Sequence, residues 1–143
     1  MTKQILIVAN IVLAIGVLAL GLAAVPASAQ AVGVEAKVPF SFVVLGKTLP
    51  AGEYTLTLAP HELKIRDANQ KLVAAVLANE IADHSAGATD QLIFHCYSDR
   101  CFLSELRSPT QGGRQLLMSK TEAQLAREEN AKYFAVLGDG PRK

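Results

Sequence analysis

Apolar and polar positions alternate from Val34 onward: Val34, Ala36, Val38, Phe40 and Phe42 share one face, and Glu35, Lys37, Pro39 and Ser41 share the other. A period of two with one apolar face predicts a strand with one buried side, and Pro39, which has no N–H for a ladder, places it at an edge or bulge. The segment LGKTLPAGEY supplies Gly46, Pro50 and Gly52 and reads as a turn-rich connection. Tyr54, Leu56 and Leu58 then alternate with Glu53, Thr55 and Thr57 as a second strand. Pro60, His61 and Glu62 form a tight turn into a short third strand, LKIRD, with Leu63 and Ile65 inward.

After a turn at Asp67–Gln70 comes KLVAAVLANEI, which is apolar on both faces. Periodicity alone does not separate a buried strand from a helix there, and its place in a run of hairpins favours a strand. Residues 82–90 are small and polar and read as a loop. QLIFHCY and CFLSELR follow as two strands around the turn Ser98-Asp99, with facing residues whose numbers sum to 197: Phe94 opposes Leu103, and His95 opposes Phe102. SPTQGGR is a glycine-rich turn, and RQLLMS is one more short strand. Ser119 with Glu122 three residues later is a capping-box signature, predicting a helix from about 120 to 132. YFAVL either extends that helix or makes a last strand, and GDGPRK reads as a frayed tail. The fold class is therefore mainly β, a small antiparallel sandwich or barrel with one C-terminal helix.

The first thirty residues stand apart. After Lys3, ILIVANIVLAIGVLALGLAAV carries no charge and reaches PASAQ, with Ala27 and Ala29 at the small positions that a signal peptidase reads. Residues 1–29 are expected to be a secretory signal cut between Ala29 and Gln30. The 21-residue apolar stretch is also about long enough to span a bilayer, so contact with a membrane is expected only if the leader stays uncleaved. Residues 30–143 make one domain. Losing Lys3 with the leader leaves 13 Lys and Arg against 13 Asp and Glu. A neutral chain without a basic stripe argues against nucleic-acid binding, which depends on neutralising phosphates.

Export changes the reading of Cys96 and Cys101, the two cysteines of the chain. In an oxidising compartment a disulfide is the default pairing. In the proposed hairpin Tyr97 faces Arg100 as the closing pair and Cys96 faces Cys101, where Cα atoms about 4.5 Å apart can be bridged. A catalytic dithiol more usually has Cys-x-x-Cys spacing, and a zinc site needs further ligands that are missing here.

VPFSFVVLGKTLPAGEYTLT, LKIRDANQKLVAAVLANE and LIFHCYSDRCFLSELR, followed by GRQLLMSKTEAQLAREE, resemble a group of small exported proteins of acidobacterial soil bacteria. The resemblance covers most of the chain after the leader. It implies an exported, compact, β-rich protein and carries over no catalytic residue. The hairpin of that group has Gly where Ser98 stands and lacks the cysteine pair, which implies a less favourable turn here that a disulfide compensates.

Recognised catalytic patterns are absent: there is no Gly-x-Ser-x-Gly elbow, no His-Glu-x-x-His helix and no phosphate loop. No cofactor, metal or catalytic residue is expected. His61 sits in a turn and His84 in the loop beside Asp83, without the spacing of a calcium site. His95, Tyr97, Arg100 and Glu105 form the candidate ligand or polar site. Strict alternation places Glu105 inward with Leu103, where it needs a partner such as Arg107 or an exposed strand end. These features favour a non-enzymatic exported domain of the envelope or extracellular space, a binding or structural module that self-associates or meets an envelope partner through its strand edges. Two other readings are a lipocalin-like barrel with a lumen lined by Phe40, Phe42, Leu56 and Phe94, and a hydrolase with a site at His95 and Glu105.

Overall fold

A computed structural model describes residues 33–82 and 87–139, and within them the alternating segments form ten strands and one helix. They are β1 (Gly33–Val38), β2 (Phe42–Val44), β3 (Lys47–Leu49), β4 (Gly52–Ala59), β5 (Glu62–Asp67), β6 (Leu72–Ile81), β7 (Gln91–Tyr97), β8 (Arg100–Ser108), β9 (Gly112–Leu116), α1 (Lys120–Glu128) and β10 (Lys132–Asp139). The expected leader and its expected cleavage point, His84 with Asp83, and residues 140–143 lie outside the described residues.

Eight strands pair as antiparallel neighbours in the order β8-β7-β10-β1-β4-β5-β6-β9, and the pairing of β9 with β8 closes the ring. Closure decides between the two expected architectures: this is an eight-stranded barrel. A hairpin of β2 and β3 is attached to the wall, with β2 parallel to β8 through Val43 and Phe102.

The alternation reports the inside of the barrel. Val34, Ala36 and Val38 of β1, Tyr54 and Leu56 of β4, Leu63 and Ile65 of β5, and Leu92 and Phe94 of β7 belong to one buried cluster. Phe94 is wholly buried and meets Phe40 and Phe42 edge-to-face, with ring centroids at 5.1 and 5.3 Å, while Phe42 meets Tyr54 at 5.2 Å. Full burial of such a side chain contributes roughly 1.5–3 kcal/mol. The two-faced segment at β6 is a strand, as expected: Val76 and Ala78 are buried, whereas Leu72 and Leu77 stand exposed outside.

Several boundaries differ from the sequence reading. The strand expected through Phe42 ends at Val38, and the chain resumes as β2 with other partners. Pro39 supplies the reason, since it cannot donate to a continuing ladder. The turn-rich connection contains β3, joined to β2 by Leu45 and Gly46 at φ 51° and 74°. Two left-handed residues in succession are what a two-residue hairpin loop requires. β9 starts within the glycine run, at Gly112. The helix stops at Glu128 and YFAVL forms the last strand, in which Gly138 and Asp139, expected in the tail, pair with Ala36 and Glu35. A Cβ at Gly138 would lie 2.9 Å from Asp90 Cβ and 3.0 Å from Val34 Cγ1, so only glycine lets these strands meet.

Candidate functional site

The expected register holds at the tip of the β7–β8 hairpin, where Tyr97 faces Arg100, Cys96 faces Cys101 and Phe94 faces Leu103. Cys96 and Cys101 form a disulfide with Cα atoms 4.0 Å apart. Ser98 sits in the turn at φ 49°, the left-handed region that glycine tolerates best, and its hydroxyl donates to Glu129 Oε2 at 2.7 Å. The hairpin tip is thereby tied to the end of α1.

Below Phe94 the register shifts. Ile93 pairs with Glu105 rather than with Ser104, so two residues of β8 oppose one of β7 across a bulge. Strict alternation therefore fails at Glu105: Leu103 and Leu106 are the inward pair, and Glu105 is turned outside, alongside Ile93. Its partner is the expected one, with Arg107 Nε and Nη2 at 2.8 and 2.7 Å from Glu105 Oε2.

Outside, α1 is held against this stretch of wall. Ser119 Oγ accepts from the Glu122 backbone N–H at 3.1 Å, and the Glu122 carboxylate accepts in return from the Ser119 N–H, which completes the expected capping box. Glu122 itself is only 5% exposed. Burial pushes its carboxyl up to about 6, opposed by that hydrogen bond.

His95 Nδ1 lies 3.6 Å from Glu122 Oε1, too long for a hydrogen bond, and its ring meets Tyr133 of β10 edge-to-face at 4.8 Å. Burial lowers the pKa of His95, with the charge of Glu105 opposing the shift. Both shifts disfavour the charged forms, and the 3.6 Å separation leaves the imidazole beside the Glu122 carboxyl without a direct hydrogen bond. Tyr97, buried beside Phe102, has its hydroxyl pushed up by burial, then by the nearby Glu122 and Tyr133.

Next to this contact a cleft of about 240 Å³ opens on the outer wall, lined by Asn79, His95, Ser104, Gln115, Leu117 and Glu122 among others. Leu116 and Met118 complete the lining, and a narrow slot adjoins it past Val44, Leu45, Val76 and Leu77, with Leu116, Leu117 and Glu122 common to both. Of the four candidate residues, His95, Tyr97 and Glu105 interact within this outer cluster. Arg100 is exposed and lines a separate groove with Asp99, Ser41 and Thr121. His61 is exposed in its turn. Among the described residues no three His, Cys, Asp or Glu side chains are grouped to hold a metal.

Glu122 was legible in the sequence as a capping residue and not as a site residue. The bulge had a visible mark: inward residues fall at 92, 94 and 96 on β7 but at 101, 103 and 106 on β8, a step of three where alternation gives two. Compared with known proteins, the chain matches no family model, no curated protein and no solved structure.

Proposed function

We propose that the chain is an exported, non-enzymatic β-barrel module of the bacterial envelope or extracellular space that binds with its outer wall. The observation that carries this reading is a contrast between inside and outside. Phe42, Leu56, Leu63, Leu92, Phe94 and Leu106 are fully buried against one another. Large apolar side chains from three separate segments, Leu45, Leu77 and the Leu117-Met118 pair, stand half or more exposed around the outer cleft and its slot. Apolar side chains gathered on a surface beside polar groups mark interaction sites.

A lipocalin-like carrier needs an open lumen, whereas Phe42, Leu56 and Phe94, named as its lining, pack as core. A hydrolase at His95 and Glu105 needs a carboxylate within hydrogen-bond reach to orient the imidazole, whereas Glu105 is engaged by Arg107 and Glu122 stands 3.6 Å from Nδ1. The disulfide supports an oxidising compartment, in agreement with the leader and with the resemblance to small exported proteins.

Native mass spectrometry of the protein recovered from an exporting host tests this reading. It expects a chain beginning at Gln30, two hydrogens light and without an apolar adduct. A reproducible lipid-like adduct that survives purification would overturn it in favour of a carrier, and a full-length mass would make the leader an anchor.

A further inference from the structure

Glu122 brings an acidic group to the cleft wall while almost wholly removed from water, and among the described residues no lysine or arginine lies within ion-pair distance of it. Its neighbour of basic type, His95, stands 3.6 Å away, and burial disfavours the charged form of that imidazole. Arg107, on β8, binds Glu105 instead. A desolvated carboxylate without a counter-charge is costly, and an opposite charge brought to it recovers much of that cost.

The remaining lining fits a cation that carries a short hydrocarbon chain. Asn79 and Gln115 offer side-chain amide oxygens and Ser104 a hydroxyl, all able to accept N–H bonds, while Leu117 and Met118 supply apolar contact. About 240 Å³ falls below the roughly 300–1,000 Å³ of drug-sized sites, which suits an occupant smaller than a drug molecule.

Resting on the wall-binding reading above, we propose that this cleft binds a primary alkylammonium group, with the ammonium on Glu122 and the methylene chain along Leu117 and Met118. The group can come from a free small amine or from a lysine side chain of a peptide. The chemistry is the same for both.

The test is a titration of the intact protein with n-butylammonium at pH 7.5, followed by backbone amide shifts of residues 115–122, with n-butanol as the neutral isostere. Binding of about millimolar strength is expected from so small a ligand. n-Butanol is expected to bind at least about tenfold more weakly, since it leaves the carboxylate unpaired. Glu122→Gln is expected to weaken n-butylammonium about tenfold or more. Gln also serves in a capping box, so this variant keeps the helix start and isolates the charge. Glu128→Gln, exposed on the same helix, is the control and is expected to change nothing. A lysine-containing tripeptide binding more tightly than n-butylammonium identifies the source as a peptide side chain, and the reverse order identifies a free amine.

Equal binding of n-butanol and n-butylammonium, or an unchanged affinity in Glu122→Gln, overturns the ammonium assignment and leaves wall binding standing. No shift in residues 115–122 with any amine also overturns it. The wall-binding reading fails separately, by the carrier adduct described above.

Discussion

Glu122 shows how one side chain is pulled two ways. It closes the capping box at the start of α1, and the strands it packs against deprive its charge of water. Because its folded pKa of about 6 lies above the ordinary 4.5, the folded state favours the protonated form. The associated stability is fully present below about pH 4.5 and is lost as pH rises through 6, by up to about 2 kcal/mol. His95 works in the opposite sense, because its lowered pKa makes stability rise as pH climbs toward 6.5. Urea unfolding of wild type and Glu122→Gln, compared at pH 4 and 7.5, separates the two. The variant is expected to gain relative to wild type at pH 7.5 and to match it at pH 4.

Ser98 offers a second contrast at this scale. Ser98→Gly relieves a left-handed backbone but loses the bond to Glu129, so the two effects offset to within about 1 kcal/mol. Ser98→Ala keeps the strained backbone and loses the bond, and is expected to cost about 1 kcal/mol in the same unfolding assay. The turn was legible in the sequence. The tether to Glu129 was not, because it joins residues 31 positions apart across the fold.

Among the elements, those with strong local signals were legible. The alternation in β4, β5 and β7, the Ser98-Asp99 turn and the Ser119–Glu122 cap each follow from a few adjacent residues. Where the structure departs from the sequence reading, tertiary context decides. YFAVL becomes β10 because β7 offers a full-length partner from Gln91 to Cys96 and Gly138, lacking a Cβ, fits closely between Val34 and Asp90. β8 gains a bulge because Leu103 and Leu106 both turn to the core, three residues apart. The disulfide belongs to this scale as well. It closes a short loop within one hairpin, so replacing both Cys96 and Cys101 with Ser is expected to cost about 2 kcal/mol by the loop-entropy account, with the eight-strand pairing retained. Urea unfolding together with far-ultraviolet circular dichroism checks both parts.

At the scale of the whole molecule, closure makes each part of the interior depend on the rest. Phe94 bridges Phe40 and Phe42, so Phe94→Ala is expected to cost about 3–5 kcal/mol in urea unfolding. A loss below about 1 kcal/mol would mean an interior with room to spare. The barrel itself was half legible: a period of two distinguishes inside from outside, and only the β8–β9 pairing distinguishes a barrel from a sandwich. The outer cleft was less legible still, since Asn79, Ser104, Gln115 and Glu122 come from four segments and converge only after closure.

The proposed function requires a barrel packed with its own side chains that binds on its wall. The most direct test is an amide and methyl NMR map recorded against a mixed library of small polar and apolar compounds. Shifts are expected to concentrate at Asn79, Ser104, Gln115, Leu117, Met118 and Glu122, with Leu56, Leu63 and Phe94 unmoved. Shifts concentrated at those three interior residues, with the wall silent, would contradict it.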